Sequence, residues 1–154
     1  RVLLRAGRYE DAATLLDSAL QVENASISRP LARLQRAEAL ARLGRLDDAK
    51  TEVAATALEP VGPADWPDTL VARMSSVRGL IAAAEGNVAV ARRQLQHAAG
   101  GWRRRVGQSD ATGSTAALAD LGRPVIGQIS PADELNTVLA DLASLDTTRL
   151  DTKE

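Results

Sequence analysis

Three short segments of this chain repeat one pattern. They are Gly7-Arg8-Tyr9-Glu10-Asp11-Ala12, Gly44-Arg45-Leu46-Asp47-Asp48-Ala49 and Gly86-Asn87-Val88-Ala89-Val90-Ala91. Each runs Gly, polar, apolar, two further residues, then Ala. Four residues after each Ala stands an aliphatic side chain (Leu16, Val53, Leu95), and seven after it a small one (Ala19, Thr56, Ala98). The Gly-to-Gly separations are 37 and 42 residues. A period of this length marks a supersecondary unit that cannot bury its apolar face alone, so the chain is expected to fold by stacking copies.

Glycine tolerates the left-handed backbone that ends a helix, so each Gly predicts the turn of an antiparallel helix hairpin. The polar residue after it stays in solvent, and Tyr9, Leu46 or Val88 closes over the hairpin. Glu10-Asp11 and Asp47-Asp48 then fall in the first turn of the next helix, where the helix dipole favours negative charge. The Ala lets neighbouring helices approach closely. The flanks carry helical periodicity. Leu34, Ala37, Ala41 and Leu43 precede Gly44. Leu70, Val71, Met74, Val77, Ile81 and Ala84 precede Gly86, and Val88, Ala91, Leu95, Ala98 and Trp102 follow it.

Composition narrows the function classes. The 154 residues are 45% hydrophobic and 25% charged, as in one soluble domain or a domain with a tail. Aromatics are 2% with no Phe, which leaves the core to Ala, Leu, Val and Ile. The absence of Cys excludes disulfides, thiolate metal sites and a Cys nucleophile. A single His, His97, excludes a His-pair metal site. A net charge of −1 argues against a dedicated nucleic-acid binder. No apolar run approaches the ~18 residues of a membrane span. The opening Arg1-Val2-Leu3-Leu4 has neither Met nor signal-peptide pattern and reads as the end of a helix, so a segment of a longer protein is expected.

With these residues in view, the chain resembles the tetratricopeptide repeat (TPR) family over residues 1–106. The second-helix half of the family pattern is matched at Ala12, Ala49 and Ala91, with aliphatics in place of the following aromatic. Gly79 and Ala37 fit the small position of the first helix. Ser75 and Arg33 stand where the family has Trp, and Ala82 and Leu40 where it has an aromatic, so the resemblance is to a divergent bacterial type. It implies an all-α fold, an antiparallel helix-hairpin repeat array or TPR-like α-solenoid. That array would have right-handed superhelical twist, about two and a half visible repeats with the first truncated, and a C-terminal helix.

The expected boundaries are 1–106 for the repeats, 107–130 for a linker, 131–146 for a capping or docking helix and 147–154 for a frayed tail. Within the repeats, Asn24 to Pro30 reads as a loop, with Ser28 as N-cap and Pro30 in the first turn. Glu59 to Pro67 reads as a longer loop whose Pro67 opens the next helix. Gly107 to Thr115 is rich in Gly, Ser, Thr and Asp, a linker signature, and Ala116 to Leu121 has room for a short helix. Ser130-Pro131-Ala132-Asp133 reads as a helix start. The stripe Leu135, Val138, Leu139, Leu142, Leu145 follows. Such a helix is not stable alone, and it is expected to cap the open end of the array or to dock onto a following domain.

No phosphate loop, GxGxxG, HExxH, GxSxG or EF-hand loop occurs. His97, between core positions Leu95 and Ala98, reads as a partly exposed helix-surface residue. The sequence therefore predicts no catalytic residue, no cofactor and no metal. Arg92, Arg93, Arg103, Arg104 and Arg105 crowd around Trp102. Such a patch can hold a phosphate backbone, but acids elsewhere balance the charge, so it reads as a solvated face. An acidic protein partner and nucleic acid are the alternatives.

The resemblance implies partner binding along a concave face built by the first helices. Transferred to this chain, that groove is Leu34, Glu38, Arg42, Arg73, Ser76 and Leu80. The Lys and Asn with which one TPR subclass clamps C-terminal carboxylates are not at these positions. A mixed apolar and charged groove suits a helix or extended peptide. Self-association through the truncated repeat end is a further expectation; direct nucleic-acid binding and membrane attachment are not expected. The segment from Val77 to Asn87 resembles the helical repeats of LuxR/MalT-type transcription regulators, which implies a sensor or oligomerisation arm of a larger bacterial protein. The alternatives are a recognition arm preceding a CHAT-type protease domain and a standalone adaptor. Richness in Ala, Arg and Leu suits a GC-rich bacterial genome, and the absence of Cys and signal peptide is compatible with the cytoplasm.

Overall fold

Gly7, Gly44 and Gly86 all adopt the left-handed conformation, with φ of 71°, 77° and 76°. In the computed structural model, which describes residues 2–21, 29–58, 66–116 and 130–151, each glycine joins two helices. Gly7 lies between α1 (Val2–Arg5) and α2 (Tyr9–Gln21). Gly44 lies between α3 (Arg29–Arg42) and α4 (Leu46–Ala57), and Gly86 between α5 (Trp66–Ala84) and α6 (Val88–Ala116). A last helix, α7, spans Pro131–Asp151. Among the described residues there is no strand.

The three turns share one hydrogen-bond scheme. The glycine N–H donates to the carbonyl three residues back: Gly7 to Leu4 at 3.2 Å, Gly44 to Ala41 at 3.1 Å, Gly86 to Ala83 at 3.0 Å. The next N–H donates five residues back: Arg8 to Leu3 and Arg45 to Leu40 at 2.9 Å, Asn87 to Ala82 at 2.8 Å. This pair of bonds satisfies carbonyls that a helix end otherwise leaves open. The N–H groups of Ala12, Ala49 and Ala91 then bond to the carbonyls of Arg8, Arg45 and Asn87, opening the second helix. The third hairpin repeats the geometry of the second although its sequence departs further from the pattern.

Those three alanines are 3%, 0% and 0% exposed, as close helix approach requires. One core gathers Leu4, Ala12, Leu34, Ala37, Leu40, Ala49, Val53, Leu70, Val77 and Ile81 from α1 to α5. A second gathers Ala72, Ala82, Ala91, Leu95, Ala98, Trp102, Val138 and Leu145 from α5, α6 and α7. Helix α5 is the wall between them, contributing opposite faces to the two cores. Leu43, Val71 and Leu139, counted in the apolar stripes by spacing, are exposed. Val71 and Leu139 each stand one residue beyond a buried position, Leu70 and Val138, and Leu43 follows the last residue of α3.

Two boundaries differ from expectation. Helix α6 continues to Ala116, across the start of the stretch read as a linker from Gly107. Propagating an existing helix adds one hydrogen bond per residue fixed, so Gly and Ser weaken it without ending it. Helix α7 opens at Pro131: the Asp133 N–H donates to Ser130 Oγ at 3.4 Å and the Glu134 N–H to the Ser130 carbonyl at 3.1 Å. It runs on to Asp151, into the segment expected to fray. Pro30 falls in the first turn of α3, and α5 opens at Trp66, one residue before Pro67. The Ser28 cap, most of the Glu59 to Pro67 loop, residues 117–121 of the stretch from Ala116 with room for a short helix, and residues 152–154 lie outside the described residues.

Candidate interaction surface

Helix α7 packs on α6 and also crosses to the first helices of the array. Its carboxylates pair with arginines from four elements. Asp133 meets Arg5 of α1 at 2.7 Å, and Asp141 meets Arg42 of α3 at 2.7 Å through both oxygens. Glu134 meets Arg73 of α5 at 2.9 Å, and Asp146 meets Arg92 of α6 at 2.6 Å. On its apolar edge Val138 and Leu145 are buried in the second core, with Leu135 and Leu142 packed beside them.

Arg73 is the node of this surface. It is 1% exposed. Glu38 of α3 lies 3.3 Å from it, Glu134 of α7 2.9 Å, and its guanidinium stands 5.6 Å from the Trp102 ring centre. A buried cation is tolerated only when paired, because desolvation would otherwise cost several kcal/mol, at least roughly. The aromatic face adds roughly 0.5–2 kcal/mol. One side chain therefore ties α3, α5, α6 and α7 together.

The six groove residues expected from the sequence separate into two groups. Glu38, Arg42, Arg73 and Leu80 come together beneath α7. Leu80 lines a cleft of about 250 Å³ with Ala41, Arg42, Leu95, Asp141 and Ser144. Leu34 is instead fully buried in the first core, because both flanks of α3 are covered by other helices. Ser76 is half-buried, and its hydroxyl donates to the Ala72 carbonyl of its own helix at 3.1 Å. A second cleft, about 210 Å³, is lined by Leu4, Arg5, Tyr9, Glu38, Arg42 and Thr137. Sequence reasoning missed Arg5 and the acids of α7, and it placed Arg92 only in the arginine patch around Trp102. The one signal was Glu134 and Asp141, seven residues apart on one edge of the helix. Their partners lie far away in sequence, where spacing carries no information.

His97 is exposed and shares a 3.0 Å hydrogen bond with Ser75 Oγ, which fits a helix-surface role. Trp102 is 1% exposed, so it offers the arginine patch no face on which a base could stack. Among the described residues no group of three or more His, Cys, Asp or Glu is placed to hold a metal ion. No described helix is long and apolar enough to cross a membrane.

A family model described as tetratricopeptide repeat matches residues 3–66, from α1 to the first residue of α5. The third hairpin lies beyond the match but repeats the same turn. No curated protein and no solved structure matches the chain.

Proposed function

We propose that this chain, whose residues 3–66 match a family model described as tetratricopeptide repeat, is a non-enzymatic module that holds a protein partner on its first-helix face. Repeats of this family are generally non-catalytic and generally bind proteins. The observation that carries the reading is the seating of α7: the face of the first helices already holds a helix, through arginines of α1, α3 and α5. Self-association at the other end of the array is supported by Leu15, 62% exposed on α2. For the parent protein, the reading is a sensor or oligomerisation arm of a LuxR/MalT-type regulator in the bacterial cytoplasm, supported by the resemblance of Val77 to Asn87.

Photo-cross-linking in cells tests the module. A photoreactive residue at Leu80 should yield a discrete protein adduct, and one at Asp47, on the outer surface, should not. Equal adducts from both positions, or adducts from Asp47 alone, would overturn the first-helix assignment. Translating the gene downstream of this segment tests the parent reading: a helix-turn-helix domain is expected, and a Cys/His protease domain would replace it.

A further inference from the structure

We infer that the first-helix face selects an acidic amphipathic helix, and that α7 is an internal occupant which such a partner displaces. This rests on the proposed first-helix function and adds the partner's chemistry. The argument is charge complementarity. Arginines from four separate elements, Arg5, Arg42, Arg73 and Arg92, each meet a carboxylate of a single helix. Apolar residues of that helix fill the space between them. The helix thus reads out a register. Counting from Glu134, acids stand at Asp141 and Asp146, and apolar side chains at Leu135, Val138, Leu142 and Leu145. Glu134 with Asp141, and Val138 with Leu145, are one heptad apart, which keeps each pair on one side of a helix.

The seat is built so that α7 can leave. Its two outermost ion pairs are open to solvent, with side chains 47% and 47% exposed for Arg5–Asp133 and 34% and 64% for Arg92–Asp146. Pairs of this kind hold weakly. Among its described side chains, Val138 and Leu145 are the buried apolar ones. When Glu134 departs, Arg73 keeps the Glu38 carboxylate and the Trp102 face, so no unpaired buried cation is left behind. A partner helix with the same register and more buried apolar area would take the place of α7.

The test uses the full chain and a fluorescent synthetic peptide of residues 130–151. The wild-type chain should bind it weakly, because the tethered α7 competes at high effective concentration. Val138→Asp, which loosens α7, should raise the apparent affinity about tenfold or more by opening the face. Asp141→Lys, a polar change that sets like charge against Arg42, should act in the same direction if Val138→Asp unfolds the second core. A peptide with Asn or Gln at positions 133, 134, 141 and 146 should bind these variants about tenfold more weakly. Adding Arg42→Glu should weaken the acidic peptide similarly. If the amide peptide binds as tightly as the acidic one, selection for acids is overturned while the first-helix reading stands. If neither peptide binds variants whose α7 amides exchange freely, both readings fail.

Discussion

At Gly79 a hydrogen stands where a Cβ would lie 2.6 Å from Leu95 Cγ and 2.8 Å from Cδ2. That absence sets how closely α5 and α6 approach. Gly79→Ala would gain up to about 1 kcal/mol of helix propensity, but overpacking costs about 1–3 kcal/mol. The net effect should be destabilising in urea unfolding, and smaller in a Leu95→Ala background, where the clashing atoms are gone. Gly44 is the opposite case: nothing lies within 4 Å of its missing Cβ, but φ is 77°. Gly44→Ala should cost about 1–2 kcal/mol through backbone strain alone, in any background at Leu95. Arg73→Met should cost about 3–5 kcal/mol, because it leaves Glu38 and Glu134 buried near each other without their cation. Adding Glu38→Leu and Glu134→Leu should return much of that loss.

Among the elements, α3 and α7 lie at opposite extremes. Helix α3 buries eight of its residues, including the polar Gln35 and Glu38. Helix α7 buries Glu134, Val138 and Leu145 among its described side chains. Amide exchange should therefore release α7 before α3, and 1 M salt should speed α7 further by screening its exposed pairs. Lys50 of α4 joins Glu85 just after α5. The hydrogen bond that the Lys50 ammonium donates to the Glu85 carboxylate raises the lysine above its ordinary 10.5. A raised value means the pairing contributes fully below the ordinary lysine range and is lost as pH climbs through the raised one. Lys50→Met should accordingly flatten the alkaline limb of the stability profile. The extension of α6 past Gly107 was not legible, because linker composition describes weak helix formers, and a long helix already under way carries them.

For the whole molecule, the hairpins were legible because their cause is local. A glycine that must turn left-handed and an alanine that must fit against a neighbour leave marks at fixed offsets. The paired cores of α5 were less legible, since a helix buried on two sides blurs its own stripe. Of the six residues carried over from the resemblance, Leu34 is fully buried, because α3 is covered on both flanks. The seat of α7 was not legible at all. An amphipathic stripe says that a helix must pack, and nothing in its spacing says on what; Arg5 and Asp133 meet across 128 residues of chain.

The most direct measurement is a charge-reversal cycle on Arg42 and Asp141, read as amide exchange within α7. Arg42→Asp and Asp141→Arg should each speed that exchange, and the double variant should return it toward wild type, with a coupling of about 0.5–3 kcal/mol. Strictly additive effects, or an α7 indifferent to Arg42, would contradict the account by showing that α7 does not occupy the first-helix face.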